Sequence, residues 1–461
     1  MNIIEFMDDP QLVGDQFIND SWDAWKALLA GFYNLNTDAT KYYTLTKLRP
    51  SASDFRELWL VIGRRGGKSN ISALLAVYEA IFNNHKDNLS RGEIATIMVI
   101  ASDRKQARTV FRYISALISE SPILSQMLVK ESTDTIELNN RCVIEVTTAS
   151  LKSTRGYSVA CAILDEIAFW NSDGANPDKE ILQALRPSLA TLDGKLIALS
   201  SPYAKRGVLW NTFKGYFGNN DSDRILVAQA PSLLMNPSLD QRIVEQAKRD
   251  DPSSARAEYD AQFRTDIETF VSDDVVERCT RSSPLELGFQ RNTPYVGFVD
   301  PSGGSADAFT LSIAHIEKGK VIIDLVHAIK PPFSPEQATG ELCDILHNYR
   351  VVCVHGDAYA GEWPREQFRK NKIDYIRIKK PKSELYKNLL PLLNSENIEL
   401  PPSEQLTREL LNLERRTSRG GRDTIDHPVG FHDDLINAVA GVAEVTKTTG
   451  APTPIKVRFC Y

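Results

Sequence analysis

Between Leu58 and Leu199, short runs of consecutive apolar residues alternate with longer stretches in which apolar positions return every three or four residues. LWLVI (58–62), TIMVIAS (96–102), VIEVTTA (143–149), ACAILDE (160–166) and KLIALSS (195–201) read as strands, and SNISALLAVYEAIF (69–82) as the helix that follows the first of them. Strands that are apolar at every position are covered on both faces, so the pattern predicts a mostly parallel α/β sheet with helices on either side. Residues 210–265 read as polar and helical, a lid or linker whose clearest piece is VEQAKRDDPSSARAEYDAQF (244–263).

A second pattern begins after the polar connector RSSPLELGFQRNTP (281–294). YVGFVD (295–300), FTLSIAHIE (309–317) and GKVIIDLVHAIK (319–330) read as successive strands, with Lys318-Gly319 as a hairpin turn. A helix over 334–349, a strand VVCVHGD (351–357) and a terminal helix over 432–447 follow. Three antiparallel strands, a helix, a parallel strand and more helix is the order of an RNase H-like α/β domain. The expectation is two unlike domains in series: 1–265, a P-loop ATPase unit with the 210–265 lid, and 266–461, an RNase H-like nuclease unit.

A length of 461 residues agrees with this, since a domain takes about 100–200 residues. No apolar run approaches the roughly 18 residues that span a membrane, and the acidic start MNIIEFMDDPQLVGDQ lacks the form of a secretion signal. Cys142, Cys161, Cys279, Cys343, Cys353 and Cys460 are scattered without a C-x-x-C pair, which argues for reduced thiols and against zinc. The net charge of −6 gives no global sign of a nucleic-acid partner, so any such contact falls to local patches. RIKKPKSELYK (377–387) has five basic residues in eleven and RRTSRGGR (415–422) four arginines in eight; each alone reads as a solvated loop before it reads as a nucleic-acid contact.

The sharpest chemistry lies in ELWLVIGRRGGKS (57–69). Gly66, Gly67, Lys68 and Ser69 follow a strand and open a helix, where backbone N–H groups and the helix dipole meet phosphate, the lysine reaches the β- and γ-phosphates and the hydroxyl ligates Mg²⁺. Ile62 stands where the first glycine of G-x-x-x-x-G-K-[ST] belongs. About a hundred residues on, CAILDE supplies Asp165 as a partner for Mg²⁺ and Glu166 as the base that orients water. Ser200 and Ser201 end the next strand beside the loop, placed to sense a γ-phosphate; an ordinary strand-ending turn is the plain alternative.

In the second domain, Asp300 and Asp357 end strands and Asp433 and Asp434 begin a helix. Carboxylates so placed can converge on two divalent cations about 3.5–4 Å apart, with Asp307 and His432 near enough in sequence to assist. Singly, they read as turn, strand-end and N-cap residues.

In this order, G-R-R-G-G-K-S, L-D-E, S-S-P, D-P-S-G-G, a strand ending in Asp and H-D-D-L, the sequence from about residue 20 to 445 resembles the large terminase subunit of tailed bacteriophages. The resemblance implies an N-terminal ATPase motor that drives double-stranded viral DNA into a procapsid and a C-terminal two-metal endonuclease that cuts concatemers. It implies ATP and Mg²⁺ or Mn²⁺ as cofactors, and the small terminase subunit and the portal protein as partners. A homo-oligomeric ring when packaging, a monomer in solution, no membrane, and the host bacterial cytoplasm are implied with it. Within it, Arg64 fills the place of an arginine that helps hold phosphates, and Arg155 in KSTRGYS that of a finger inserted into a neighbour's ATP site. Such a finger is worth about 10³–10⁵ in rate. The nuclease trio matches Asp300, Asp357 and Asp434, with Asp433 the neighbouring option. WDAWKALLAGF (22–32) stands where an adenine pocket is expected, though its tryptophans read equally as core. A host helicase-nuclease of repair or recombination shares both chemistries, and an ATP switch joined to an inactive RNase H-like binding module is a third reading.

Overall fold

A computed structural model describes residues 1–149, 156–170, 177–219, 222–304, 307–357, 363–417, 423–428 and 431–449. The chain divides into two units, Met1–Thr265 and Asp266–Tyr461.

The first unit is built on an eight-stranded sheet. Its strands are β1 (Glu57–Ile62), β2 (Ala95–Ala101), β3 (Leu128–Glu131), β4 (Thr135–Leu138), β5 (Cys142–Thr148), β6 (Ser158–Asp165), β7 (Lys195–Ser200) and β8 (Ile225–Ala230), in the order β3-β4-β5-β2-β6-β7-β1-β8. All neighbours from β5 to β8 are parallel; β4 alone runs against them, antiparallel to both β5 and β3. β1 shows why the run is wholly apolar. Leu58, Leu60 and Ile62 enter one core with the helices Asp23–Phe32 and Lys68–Ile81, while Trp59 and Val61 enter another with Trp170 and the helix Pro177–Ala190. Each such fully buried side chain contributes about 1.5–3 kcal/mol.

Two features differ from the sequence pattern. The 210–265 segment is not helical throughout: RILVAQA contains β8, which pairs with β1 along its whole length and so extends the sheet beyond the P-loop strand. The four-residue strands of the β3–β4 hairpin have too few apolar positions to announce themselves.

The second unit holds β9 (Ile267–Thr269), β10 (Val296–Asp300), β11 (Phe309–Glu317), β12 (Lys320–Ile329), β13 (Cys353–Gly356), β14 (Asp374–Arg377), β15 (Ile398–Glu399), β16 (Glu414–Thr417) and β17 (Asp423–Asp426). Its main sheet runs β14-β13-β10-β11-β12-β15, with β10, β11 and β12 antiparallel and β13 parallel to β10. That is the RNase H-like arrangement. The β11–β12 turn places both Lys318 (φ 51°) and Gly319 (φ 84°) in the left-handed region, as a two-residue type I′ hairpin requires. The last helix, Asp434–Thr449, begins two residues later than the pattern suggests. It lies so close to the sheet that a Cβ on Gly441 would fall 2.5 Å from the Phe298 ring. A smaller sheet, β17-β16-β9, is also present. Among the described residues, no helix is long and apolar enough to cross a membrane.

Candidate functional site

The register of the first sheet brings three strand ends to one edge: Ser200 lies opposite Val61, and Asp165 opposite Leu199. β7 therefore separates the P-loop strand from the Asp165 strand, and its terminal serines face both. Gly63, directly after Ile62, stands where neighbouring chain leaves no room for a side chain. A Cβ there would meet Ser232 Oγ at 2.4 Å and the Tyr259 carbonyl at 2.7 Å. Arg65 (φ 64°) and Gly67 (φ 91°) are left-handed, and the indole N–H of Trp25 donates to the Gly66 carbonyl at 2.8 Å. Trp25 is thus a brace of the loop, and Trp22 packs against Gly67.

Lys68 opens the helix Lys68–Ile81 and is buried. Its Nζ donates to Ser201 Oγ (2.8 Å) and the Ile62 carbonyl (3.2 Å) and lies 3.2 Å from Glu166 Oε1. The other Glu166 oxygen accepts from Ser200 Oγ and from the Ser201 backbone N–H, both at 3.1 Å. Glu166 itself is left-handed (φ 52°), a conformation costing of the order of 1 kcal/mol for a non-glycine residue and concentrated at functional sites. Asp165 is fully buried, and its Oδ1 has no hydrogen-bond partner among the described residues. Burial first, then the charge of Glu166, push its carboxyl up to about 6, against the Gln106 hydrogen bond and the charge of Lys68. A buried carboxylate with an unpartnered oxygen, a hydroxyl on Ser69 and a lysine among acceptors fit a Mg²⁺–nucleotide in their donor chemistry.

The remaining expectations for this site divide. Arg64 is exposed and paired with Glu258 at 3.1 Å, so its guanidinium is held by an acid. Its backbone N–H also donates to the Glu258 carbonyl. Arg155 lies outside the described residues. Gln106, which the sequence did not single out, donates from one nitrogen to Ser69 Oγ and to Asp165 Oδ2.

In the second unit, β10 and β13 pair Val299 with Gly356, which puts Asp300 and Asp357 at the same end of adjacent parallel strands. The last helix adds Asp434 and Asn437. Asn437 Nδ2 donates to Asp300 Oδ2 at 2.7 Å, and Asp434 accepts from the Ala308 N–H at 3.0 Å and, through its carbonyl, from Thr310 Oγ1 at 2.7 Å. The Asp300 carboxyl is pushed up to about 7 by burial first and by the charges of Asp434, Asp357 and Asp433, against the Asn437 bond. Burial likewise raises Asp434.

Asp433 and Asp434 are sorted by their partners. Asp433 is buried, with Lys382 Nζ at 2.8 Å and the Tyr386 hydroxyl donating at 2.8 Å. Although its carbonyl accepts the first helical bond, from Asn437, its side chain does not cap the helix. Glu409 does so, from another helix: its Oε2 accepts from the Leu435 and Ile436 N–H groups at 2.8 and 3.0 Å, and burial pushes it up to about 7. Asp433 is held in an ion pair with Lys382, and Asp434 lies beside Asp307 and His432, whose Nδ1 is 4.0 Å from Asp434 and 3.6 Å from Asp307.

Asp307, His432 and Asp434 form one group whose ligand atoms all lie within 4.8 Å of one another; Asp426, His427 and Asp433 form a second. Asp300 and Asp357 belong to neither group. The predicted trio is therefore gathered at one sheet edge without closing to a single coordination sphere. All its donors are carboxylate oxygens, and the Asn437 Oδ1 beside it is buried and unpartnered, a set that fits hard divalent cations.

The two basic stretches are largely spoken for. Lys380 pairs with Glu444 at 2.6 Å, Lys382 with Asp433 and Asp426, Arg415 with Asp423 and Arg416 with Glu414. Lys379 and Lys387 stay exposed, and residues 418–422 lie outside the described residues.

One stability effect follows from Asp300. Its folded value of about 7 lies above the ordinary value of about 3.9, so the ionised form costs stability; the cost grows from near zero at about pH 4 to its full size above pH 7. Asp300→Asn should accordingly stabilise the metal-free chain by about 2 kcal/mol at pH 8, with the gain fading as pH falls to about 4. Urea melts in EDTA at the two pH values check this.

A family model described as the N-terminal P-loop domain of uncharacterized protein MJ0330 matches residues 36–261. No curated protein matches the chain. Among solved structures, the chain is similar to the HK97 bacteriophage large terminase at 15% identity and a TM-score of 0.44, covering 96% of this chain and 99% of that one. It is similar to the large terminase of a thermophilic bacteriophage at 13% identity and a TM-score of 0.38, covering 92% and 98%. The large terminase nuclease of thermophilic phage G20c matches at 19% identity and a TM-score of 0.31, over 34% of this chain and 84% of that one. The N-terminal unit is a P-loop domain, followed in the chain by an RNase H-like unit, and the chain is similar over nearly its whole length to bacteriophage large terminases.

Proposed function

We propose that the chain is a DNA-packaging motor and nuclease of the large-terminase kind. In this reading the N-terminal unit hydrolyses ATP to drive double-stranded viral DNA into a procapsid, and the C-terminal unit cuts concatemeric DNA. The observation that carries the motor is the contact of Lys68 with both Glu166 and Ser201 at the edge where Asp165 also ends. The phosphate lysine, the candidate base and the terminal serines already form one hydrogen-bonded unit, so a nucleotide that takes Lys68 changes the surroundings of the other two.

Gly66, Gly67, Lys68 and Ser69 hold the phosphates, Ser69 and Asp165 hold Mg²⁺, and Glu166 accepts the proton of the attacking water. Ser200 and Ser201 report phosphate occupancy to Glu166. Arg64 joins the phosphates on leaving Glu258, and Arg155 acts on a neighbouring subunit's site in a ring. In the second unit Asp300, Asp357 and Asp434 would hold two divalent cations, Mg²⁺ or Mn²⁺, which supply activation of water and neutralisation of the leaving oxygen. Asn437 orients Asp300, Glu409 fixes the helix that carries Asp434, and Lys382 keeps Asp433 out of the ligand set.

Contact with DNA is to phosphates, through exposed Lys379 and Lys387, through Arg419 and Arg422, and through Arg415 and Arg416 only on leaving Asp423 and Glu414, and so is salt-sensitive and largely independent of sequence. The small terminase subunit, the portal protein and the host cytoplasm follow from the motif order. The nuclease half is tested by Mn²⁺-dependent plasmid cutting: Asp300→Ala should abolish it, and undiminished cutting would remove the nuclease assignment.

A further inference from the structure

Gln106 sits in the first turn of the helix Arg104–Ser119, its backbone N–H capped by Asp103 at 2.9 Å. Its side-chain nitrogen lies 3.0 Å from Ser69 Oγ and 2.6 Å from Asp165 Oδ2. An amide nitrogen has two hydrogens, and here they meet the two oxygens that a P-loop site offers to its cation. A buried carboxylate oxygen left without a donor or a cation is costly, and at Asp165 Oδ2 the donor is the Gln106 amide, which also donates to the Ser69 hydroxyl. Lys68 does not serve, because it is turned to Ser201 and Glu166.

We propose that Gln106 is a positioning residue that stands in for the divalent cation until Mg²⁺–nucleotide binds and displaces it. This rests on the reading of the first unit as a Mg²⁺–ATP site. A cation needs oxygen lone pairs where Gln106 now presents N–H hydrogens, so the two states exclude each other. Holding Ser69 and Asp165 at a cation-ready spacing preorganises the site, and the lost amide bonds set a threshold that metal-free nucleotide does not have to cross. Because Gln106 belongs to the first turn of Arg104–Ser119, its release also tells that helix that metal has arrived.

The test is titration of the full chain with N-methylanthraniloyl-ADP, in Mg²⁺ and in EDTA. Removing a hydrogen-bond donor that favours only the metal-free state should tighten Mg²⁺-dependent binding by about tenfold in Gln106→Ala, and leave binding in EDTA within about twofold. Gln106→Met, which keeps length and packing but has no N–H, should behave in the same way and guards against a folding defect in the alanine variant. Unchanged or weaker Mg²⁺-dependent binding in the folded variants overturns the proposal, the weaker result making Gln106 an ordinary aid to metal binding. Wild-type protein that binds no nucleotide, or binding indifferent to Lys68→Ala, overturns the P-loop reading itself, and is distinguished by appearing before any Gln106 variant is compared.

Discussion

Glu166→Gln is expected to lower ATP turnover of the full chain by about 10³-fold, the range lost when a positioned general base is removed, while nucleotide binding stays nearly intact. Gln keeps the length and one acceptor oxygen, which can retain the Ser200 Oγ and Ser201 N–H contacts while the amide NH2 takes the side that faced Lys68 Nζ. The capacity to take a proton is lost, and with it one contact to Lys68. Lys68→Ala is expected to give the contrasting result: binding itself fails, because the proposed function makes the buried ammonium the phosphate ligand. Phosphate release and nucleotide titration on both variants check the pair. Equal loss of binding in the two would assign Glu166 a structural part.

The second large effect separates two adjacent aspartates. Asp434→Ala should reduce Mn²⁺-dependent plasmid cutting by more than about 100-fold, above the 10–100-fold typical of residues that only support a metal ligand. Stability should change little, or rise, since burial raises this carboxyl. Asp433→Ala should act the other way round. It leaves the Tyr386 hydroxyl without its acceptor and Lys382 with Asp426 alone, and losing such charge-assisted hydrogen bonds costs about 2 kcal/mol. Its cutting defect should stay within the supporting range. Denaturant melts beside the cleavage assay read both, and the reverse assignment of the two phenotypes would move the ligand role to Asp433.

Much of this was legible in the sequence where the signal is local. Wholly apolar strands such as LWLVI can only be buried on both faces, and β1 does divide its side chains between two cores. Gly67-Lys68-Ser69 and Asp165-Glu166 follow apolar strands closely enough to be placed at one sheet edge. β8 went unread because six residues, ILVAQA, lie within a long polar helical context, and their strand character comes from pairing with β1, far earlier in the chain. β16 and β17 carry ERRT and DTID, whose charges hide a strand.

The least legible parts are long-range pairs. Glu409 caps a helix that begins well after it in the chain, Arg64 finds Glu258 across 194 positions, and Gln106 reaches Asp165 across 59. No periodicity or spacing rule reports such partners. The resemblance implied Arg64 as a phosphate ligand, and the structure pairs its exposed guanidinium with Glu258. Two adjacent aspartates that the sequence could not order are separated once Lys382 and Tyr386 are seen to hold one of them.

In the proposed function the P-loop unit moves along intact duplex DNA. Displacement of a third strand from a triplex, followed with ATP on a linear duplex beside strand separation of that duplex, distinguishes this from unwinding. Wild-type chain should displace the third strand in an ATP-dependent manner while the duplex strands remain annealed, and Lys68→Ala should displace none. Separation of the duplex strands, as a helicase would produce, or a third strand that stays bound under ATP turnover, would rule out translocation along intact duplex.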